Sequence, residues 1–518
     1  VLLVRNKMEF SALGSKCPHY GAPLSKGVLK GERLRCPWHG SCFNIRTGDI
    51  EEYPSLDCLA CFKVTVEDGR VFVTAKKKVL ALSAVTKHKQ HPGLVKDTSK
   101  RCLFNRGTML LLGGGVAALV CAETLRQEGF TGRIIMATKE KHVPYDKSKL
   151  SKEMNLKAED VYLRKPEFLD AHGIELWTGK EAVSVDFQKQ KVHFMDRSSQ
   201  KYNQLLIATG SHSSFLKVPG ADLQNVCILQ TPEDSSKILE LATGKNLVVI
   251  GASFVGTKLD QASRHPAPAR DANETSLQPG AAAKLPAWVL AGYGCFYSST
   301  AWNFLLNTQT SPFQMLQNKG VKFHMKTELC ELKGEDGKVT EAVLASGEKL
   351  PADVVVVGIG VSPNSAFLKG TSIARDDSGA ILVDLHMQTN IPNVFAAGDV
   401  VSFPVALLNG NRSSIHHQQV AEAHGHIAAL NMLKKEKELH TVPFFWTTIF
   451  GKSIHYAGCG KGYTDTVVKG SLEQEKFLIF YIRDGFVTAA ASLNCDPMVS
   501  LIAEVLYSGK QISKEEAE

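Results

Sequence analysis

The feature that most limits this chain is a pair of short metal-ligand patterns near its start. Cys17-Pro-His19 is followed, after sixteen residues, by Cys36-Pro-Trp-His39. The surrounding stretch, 1–75, reads as short strands. Val1–Val4 and Phe10–Leu13 flank Asn6-Lys7, and Lys63–Val66 and Val71–Thr74 flank the hairpin signal Asp68-Gly69. Helical periodicity is almost absent. Two such loops facing each other can hold a [2Fe–2S] cluster, with two thiolates on one iron and two imidazoles on the other. The same four donors could instead close around one zinc ion. Gly21 and Gly40 let backbone N–H groups come close to the metal site in either case.

Charge locates a linker. The 518 residues carry 60 Lys+Arg against 52 Asp+Glu, a formal excess of +8. Residues 76–108 hold nine basic side chains and one acid, Asp97, and so contain the whole excess. The remainder is neutral overall, which argues against a nucleic-acid partner. A solvated basic tether is the expected reading, with weak attraction to an anionic membrane surface as the other possibility. No apolar run reaches the ~18 residues of a membrane span. Twelve cysteines without a repeating spacing fit a reducing compartment better than a disulfide framework. The chain starts at Val1 inside an apolar run, so it reads as lacking its true N-terminus, and a targeting signal cannot be judged.

From Met109 the pattern becomes strand, glycine-rich turn and helix. Met109-Leu-Leu-Leu-Gly113-Gly-Gly115-Val-Ala-Ala118 presents G-x-G-x-x-A before a helix over 119–128. Such a turn lets the backbone approach a pyrophosphate, and the helix N-terminus supplies N–H groups. A second strand is expected over 133–138. Glu140 is the first acid after it, suited to ribose hydroxyls or else a solvated turn residue. A second such unit begins at Leu247-Val-Val-Ile-Gly251-Ala-Ser-Phe-Val-Gly256. Its continuation is unusual: Pro266, Pro268, Pro279, Pro286 and Pro312 leave no room for the long helix that should follow. Residues 258–312 therefore read as an altered exon or faulty gene model, or as a divergent natural lid. Cys58-Leu-Ala-Cys61 could be a redox dithiol but opens no helix, so two incidental cysteines are the preferred reading.

The first loops and their flanks, Gly-Ala-Pro-Leu, Gly-Ser-Cys-Phe and Thr47-Gly48-Asp49, resemble the Rieske ferredoxin family, which implies iron–sulfur over zinc. Ala22 and Trp38 stand where respiratory Rieske proteins carry a disulfide, so the likeness is to the soluble class. Three further segments resemble flavoprotein reductases and imply FAD. His142-Val-Pro144-Tyr145-Asp-Lys147-Ser-Lys-Leu-Ser-Lys152 resembles a segment whose first basic residue contacts the dinucleotide and whose last lysine lies near the flavin. Lys147 there replaces an arginine, turning a bidentate contact into a point charge. Leu206-Ile-Ala-Thr209-Gly210 resembles a strand end at the cofactor. Thr389-Asn-Ile-Pro392-Asn-Val-Phe-Ala-Ala397-Gly398-Asp399 resembles the segment whose aspartate binds the ribityl chain. Asp399 could otherwise cap a helix, and Lys152 could be merely solvated.

Taken together, the chain resembles the Rieske-bearing, apoptosis-inducing-factor-like flavoproteins over about 1–257 and 313–518. The resemblance implies a multidomain chain: an all-β Rieske [2Fe–2S] domain, an α/β flavoprotein reductase with two Rossmann units, and a small α+β C-terminal domain. The expected limits are 1–75 for the Rieske domain and 76–108 for the linker. FAD-binding parts follow at 109–235 and 352–440, the NAD(P)-binding domain at 236–351 and the C-terminal domain at 441–518. Cys17, His19, Cys36 and His39 are the expected metal ligands. Gly113, Gly115, Ala118, Glu140, Lys147, Lys152, Thr209, Gly210, Gly398 and Asp399 are expected at FAD, and Gly251 and Gly256 at NAD(P)H. Lys152 and Trp446 are the expected catalytic residues, Trp446 because an aromatic in Pro443-Phe-Phe-Trp446-Thr-Thr lies against the flavin in related ferredoxin reductases; plain core is its alternative.

The implied activity is NAD(P)H oxidation through FAD to the cluster and on to an unidentified acceptor. A homodimer and a mitochondrial or cytoplasmic, intracellular location are further implications of the family, as is a pro-apoptotic role. The other functional readings are a signalling flavoprotein without turnover and a reductase component feeding a separate oxygenase. His416-His417 and Glu422 have residue types suited to mononuclear iron, but that stretch is expected to be the helix after the FAD aspartate. If 258–312 disrupt the nicotinamide half, titration of the purified flavoprotein with NADH should bleach the flavin only slowly at micromolar concentrations. Rapid bleaching in that range contradicts a disrupted site.

Overall fold

The computed structural model describes residues 1–75, 107–152, 154–251, 287–291, 317, 321–325, 327–449 and 451–518. They form two compact units. One comprises Val1–Lys141, Pro166–Gly210 and Ser365–Glu518, and the other His142–Lys165 and Ser211–Asn364.

The first unit begins with two antiparallel four-stranded sheets. Leu2–Asn6, Glu9–Leu13, Cys61–Glu67 and Arg70–Thr74 make one. The expected Asp68-Gly69 turn closes its last hairpin, opposing Glu67 to Arg70. Val28–Lys30, Arg33–Arg35, Cys42–Asn44 and Ile50–Glu52 make the other. Leu13, Leu24, Leu34, Phe43 and Leu59 fill the core, and Cys17 and Cys36 are buried in it.

The same unit holds a five-stranded parallel sheet in the order Ile174–Trp177, Arg133–Ala137, Thr108–Leu112, Gln204–Ile207, Val394–Ala396. Its central strands are nearly continuous apolar runs, as burial on both faces demands. The helices Val116–Gln127 and Gln418–Met432 pack together beside it. Residues 444–518 add a five-stranded antiparallel sheet, ordered Phe444–Ile449, Lys452–Gly458, Phe486–Leu493, Lys476–Arg483, Asp465–Ser471, and the helix Met498–Tyr507. An α+β architecture is what the alternating strands and terminal helix predict.

The second unit is built on another parallel sheet, ordered Val226–Cys227, Val354–Val357, Leu247–Ile250, Ala287–Ala291, Val321–Met325. Ala287–Ala291 lies within the proline-rich stretch, yet pairs in parallel with Leu247–Ile250 and Val321–Met325. It takes the place of the strand that a Rossmann unit requires after its first helix. The rest of 258–312, Gly256 and nearly all of the basic linker lie outside the described residues.

The unit boundaries differ from those expected at 235 and 352. His142–Lys165, 211–235 and 352–364 belong to the second unit. Pairing explains this. Ser211–Ser213 forms an antiparallel ladder with Val361–Pro363. Tyr145 Oη donates to the Gln230 carbonyl at 3.2 Å, and Ser235 Oγ to that of Leu150 at 2.9 Å.

The crossing of the helices Val116–Gln127 and Gln418–Met432 has a direct consequence. Gly425 lies so near the Ala117 carbonyl that an added Cβ would collide with it. Helix propensity alone favours alanine by about 1 kcal/mol. Gly425→Ala is nevertheless expected to destabilise the first unit, by roughly 1–3 kcal/mol or more. Chemical unfolding measures it, and a gain in stability would show that the crossing is looser than described.

Candidate functional site

The two metal-ligand loops leave adjacent edges of the N-terminal domain, and the structure brings their ligands together as two pairs. Cys17 and Cys36 are buried and hydrogen-bonded to each other. That bond holds the two sulfurs side by side, raising the Cys17 thiol and lowering that of Cys36. Backbone N–H groups of His19 and Tyr20 are directed at the Cys17 sulfur, and those of His39 and Trp38 at the Cys36 sulfur. The imidazoles form the second pair, with His19 Nδ1 and His39 Nδ1 3.1 Å apart. This donor set fits a [2Fe–2S] cluster: a thiol pair for one iron, an imidazole pair for the other, and N–H groups where sulfur needs donors. Among the described residues, no three His, Cys, Asp or Glu side chains converge on one point, as a single zinc ion would require.

Trp446 lies against the imidazole pair. Its ring centroid is 4.9 Å from His39 and 5.7 Å from His19. It is 7% exposed and belongs to the core of the C-terminal domain. The His417 ring also meets it, edge-on, with centroids 5.3 Å apart. His417 precedes the helix Gln418–Met432 as its N-cap residue; the neighbouring helix thus follows the Asp399 turn, as the family pattern implies.

The flavin motifs of the first unit meet at the C-terminal ends of adjacent parallel strands, where such sheets bind dinucleotides. Gly113 follows Leu112, Ala208-Thr209-Gly210 follows Ile207, and Ala397-Gly398-Asp399 follows Ala396. The Ala208 N–H donates to the Leu112 carbonyl at 2.8 Å and that of Ala397 to Ile207 at 3.0 Å. Gly113 has φ +134°, and any Cβ there would strike the Ala208 carbonyl. Gly115, the N-cap of Val116–Gln127, faces open space instead. Ala118 is buried in that helix. Glu140 is half-buried beyond the end of Arg133–Ala137, its N–H donating to Thr138 Oγ1 at 3.2 Å. A cradle of this shape fits an FAD pyrophosphate and ribose.

Lys147 and Lys152 lie in the second unit, Lys147 exposed and 5.5 Å from the Tyr145 ring, Lys152 half-buried. Gly251 ends the strand Leu247–Ile250, where the Gly358 N–H donates to the Ile250 carbonyl at 2.7 Å.

Sequence reasoning missed a set of charged residues around the second metal loop: Arg33, Arg35, Glu52 and Glu504. Arg35 is 1% exposed and donates to the Gly40 carbonyl at 2.8 Å, inside that loop. One signal was available, since Glu504 is the only charge in the helix Met498–Tyr507. A lone carboxylate in an apolar helix calls for a buried cation.

Comparison with known proteins agrees with this geometry. The family description "Pyridine nucleotide-disulphide oxidoreductase" matches residues 108–265 and 308–425, "Rieske [2Fe-2S] domain" matches 1–63, and "Reductase C-terminal" matches 444–518. The interruption over 266–307 falls inside the proline-rich stretch. The chain is 44% identical to human apoptosis-inducing factor 3, over all of this chain and 82% of that protein. It is 30% identical to rhodocoxin reductase of Rhodococcus erythropolis, covering 75% of this chain and 86% of that one. Among solved structures, the ferredoxin reductase for the CYP199A2 system of Rhodopseudomonas palustris superposes with a TM-score of 0.71 at 25% identity. That match covers 80% of this chain and 97% of the other.

His424 supplies a test of the cradle. Its Nδ1 accepts the Gly398 N–H at 3.3 Å beside Asp399, and burial lowers its pKa to about 3. The unfolded chain takes up a proton near pH 6.5, whereas the folded chain stays neutral. Stability should therefore fall as pH drops from about 6.5 towards 3, by about 1.4 kcal/mol per pH unit from this residue. His424→Gln should flatten that slope, read as the flavin-release midpoint against pH; an unchanged slope contradicts the buried neutral imidazole.

Proposed function

Because the chain belongs to the pyridine nucleotide-disulphide oxidoreductase family and carries a Rieske domain in the same polypeptide, we propose that electrons from NAD(P)H reach the cluster through ring contacts centred on Trp446. The protein is an NAD(P)H-dependent flavoprotein oxidoreductase whose cofactors are FAD and a Rieske [2Fe–2S] cluster. When bound, FAD supplies hydride acceptance as an electron pair and the cluster supplies one-electron exchange.

The residues divide the work. Cys17 and Cys36 hold one iron and His19 and His39 the other. Gly113, Gly115 and Ala118 admit the pyrophosphate to the helix N-terminus, Glu140 binds ribose hydroxyls, and Thr209, Gly210, Gly398 and Asp399 line the flavin side. Lys147 and Lys152 are assigned to FAD on the family pattern, and Gly251 and Gly256 to NAD(P)H.

The observation that carries the reading is the contact of Trp446 with both ligand imidazoles, at 4.9 and 5.7 Å. With His417 also against it, Trp446 links the start of the helix Gln418–Met432 to the two imidazoles through aromatic rings. A route of packed rings gives better electronic coupling than solvent, and burial keeps Trp446 in one orientation.

The acceptor beyond the cluster is a one-electron carrier. The intracellular setting, mitochondrial or cytoplasmic, rests on the family resemblance; a homodimer and the cell-death role rest there too. Among the described residues, no helix is long and apolar enough to cross a membrane.

Trp446→Leu keeps much of the volume and removes the ring. It should slow cluster reduction relative to flavin reduction by roughly tenfold or more, whereas Trp446→Phe should retain most of the rate. Anaerobic stopped-flow spectroscopy with saturating NADH separates the two signals; equal cluster rates in all three proteins would remove Trp446 from the route.

A further inference from the structure

The Rieske domain and the C-terminal domain exchange carboxylates. Glu504, from the helix Met498–Tyr507, reaches into the Rieske domain. There it accepts from Arg35 Nε at 2.7 Å and from Arg33 Nε and Nη2 at 3.2 and 3.1 Å. Glu52, from the Rieske strand Ile50–Glu52, reaches the other way. Its Oε1 accepts from Thr441 Oγ1 at 3.1 Å and from the Val442 N–H at 3.3 Å, while Oε2 pairs with Arg33 and Arg35. Side-chain exposure is 1% for Arg35 and Glu504 and 2% for Glu52. Burial alone would raise the Glu504 carboxyl, but Arg35 and Arg33 outweigh it and hold it below the ordinary range. The Arg33 guanidinium also lies 3.8 Å over the Tyr507 ring.

These contacts converge on the second ligand loop. Arg35 immediately precedes Cys36 and binds the Gly40 carbonyl, so it spans the loop holding Cys36 and His39. Ser500, also in the helix Met498–Tyr507, donates to the Cys36 carbonyl at 3.0 Å. One helix thus grips both the charge under the loop and the backbone of a cluster ligand. The Trp446 contact with His39 occurs in the same domain pair.

Charges buried this deeply are tolerated only when paired. Undocked, Glu504 would lose both guanidinium partners, and Arg35 would lose one of its two carboxylates. The network therefore favours one docked register over sliding alternatives, which a greasy patch of equal area would not. A freely tethered domain needs no such device.

We propose that Glu504 and Ser500 are positioning residues that lock the Rieske domain onto the C-terminal domain as a resident electron acceptor, fixing His39 against Trp446. The proposal rests on the electron-transfer reading above. Each hydride brings two electrons. Passed one at a time, each would take the bound cluster through a single ferric-to-ferrous change and, in steady turnover, leave to a one-electron acceptor of the ferricyanide type before the next arrives, while the hydride proton goes to solvent. The same face is then closed to a separate ferredoxin.

The test uses the full-length protein loaded with both cofactors. Glu504→Gln removes the charge at constant shape, Glu504→Ala removes the side chain, and Ser500→Ala removes the loop contact. Arg46→Ala serves as the control, since Arg46 pairs with Glu9 and Glu32 on the exposed surface. Flavin reduction by saturating NADH and cluster reduction are followed by anaerobic stopped flow. Electron paramagnetic resonance of the dithionite-reduced cluster checks its integrity. The expected result is a cluster-reduction rate lowered roughly tenfold or more in both Glu504 variants, and less in Ser500→Ala. Flavin reduction and the cluster spectrum should stay as in the parent, and Glu504→Asp should restore part of the rate. If Glu504→Ala does not fold, Glu504→Gln decides alone. Parent-like cluster reduction in Glu504→Gln overturns the latch. A parent protein whose cluster stays oxidised while its flavin is reduced overturns the electron-transfer reading and the latch with it.

Discussion

Arg35 is the constraint on which the arrangement of the first unit depends. A guanidinium cannot shed its proton under any relevant condition, and this one lies buried directly under the loop that carries Cys36 and His39. It must be surrounded by anions, and the Rieske domain supplies only part of what it needs. Glu52 comes from the same domain and Glu504 from a helix more than 450 residues later in sequence. The cluster loop is therefore completed by the far end of the chain. Folding, domain docking and placement of the ligand imidazoles become one problem with one electrostatic solution.

The two cofactor sites are built on the same elementary device. In each, the backbone turns sharply at small residues, and N–H groups face the position of a negatively charged group. At the Rieske loops these are the N–H groups of His19, Tyr20, Trp38 and His39, aimed at the cysteine sulfurs. At the flavin cradle they are those at the start of Val116–Gln127, beneath Gly115. Beside the Rieske loops stand three rings, His39, Trp446 and His417, each within 5.3 Å of the next by centroid. The basic linker takes on a different meaning beside the Glu504 network. A tether raises the local concentration of a domain, whereas paired buried charges choose its orientation.

What could be read from the sequence was whatever is encoded locally. The Cys17-x-His19 and Cys36-x-x-His39 pattern is visible because residue type and spacing sit within two short loops. The Gly113 and Asp399 turns are visible because each is a contiguous string tied to a strand end. The hairpin at Asp68-Gly69 and the terminal α+β region follow from turn chemistry and alternation. The network at Glu504 was not legible, because its partners lie at opposite ends of the chain and no spacing rule relates them. The grouping of His142–Lys165 with the second unit was missed for the same reason: hydrogen bonds from Tyr145 and to Leu150, not proximity in sequence, place that stretch. Ala287–Ala291 was masked by prolines on either side, which rule out the expected helix yet leave a five-residue strand free to join a parallel ladder. Trp446 was singled out only by resemblance; its packing against the His19 and His39 imidazoles is a tertiary fact.

The central claim is that one polypeptide carries electrons from nicotinamide to its own cluster across a docked interface. The most direct measurement is a freeze-quench experiment on the full-length protein with both cofactors, mixed anaerobically with NADH in the absence of any other acceptor. The account predicts that the paramagnetic signal of the reduced Rieske cluster appears within a single turnover, at a rate independent of protein concentration. A cluster that stays oxidised, or one reduced at a rate proportional to protein concentration, would contradict it.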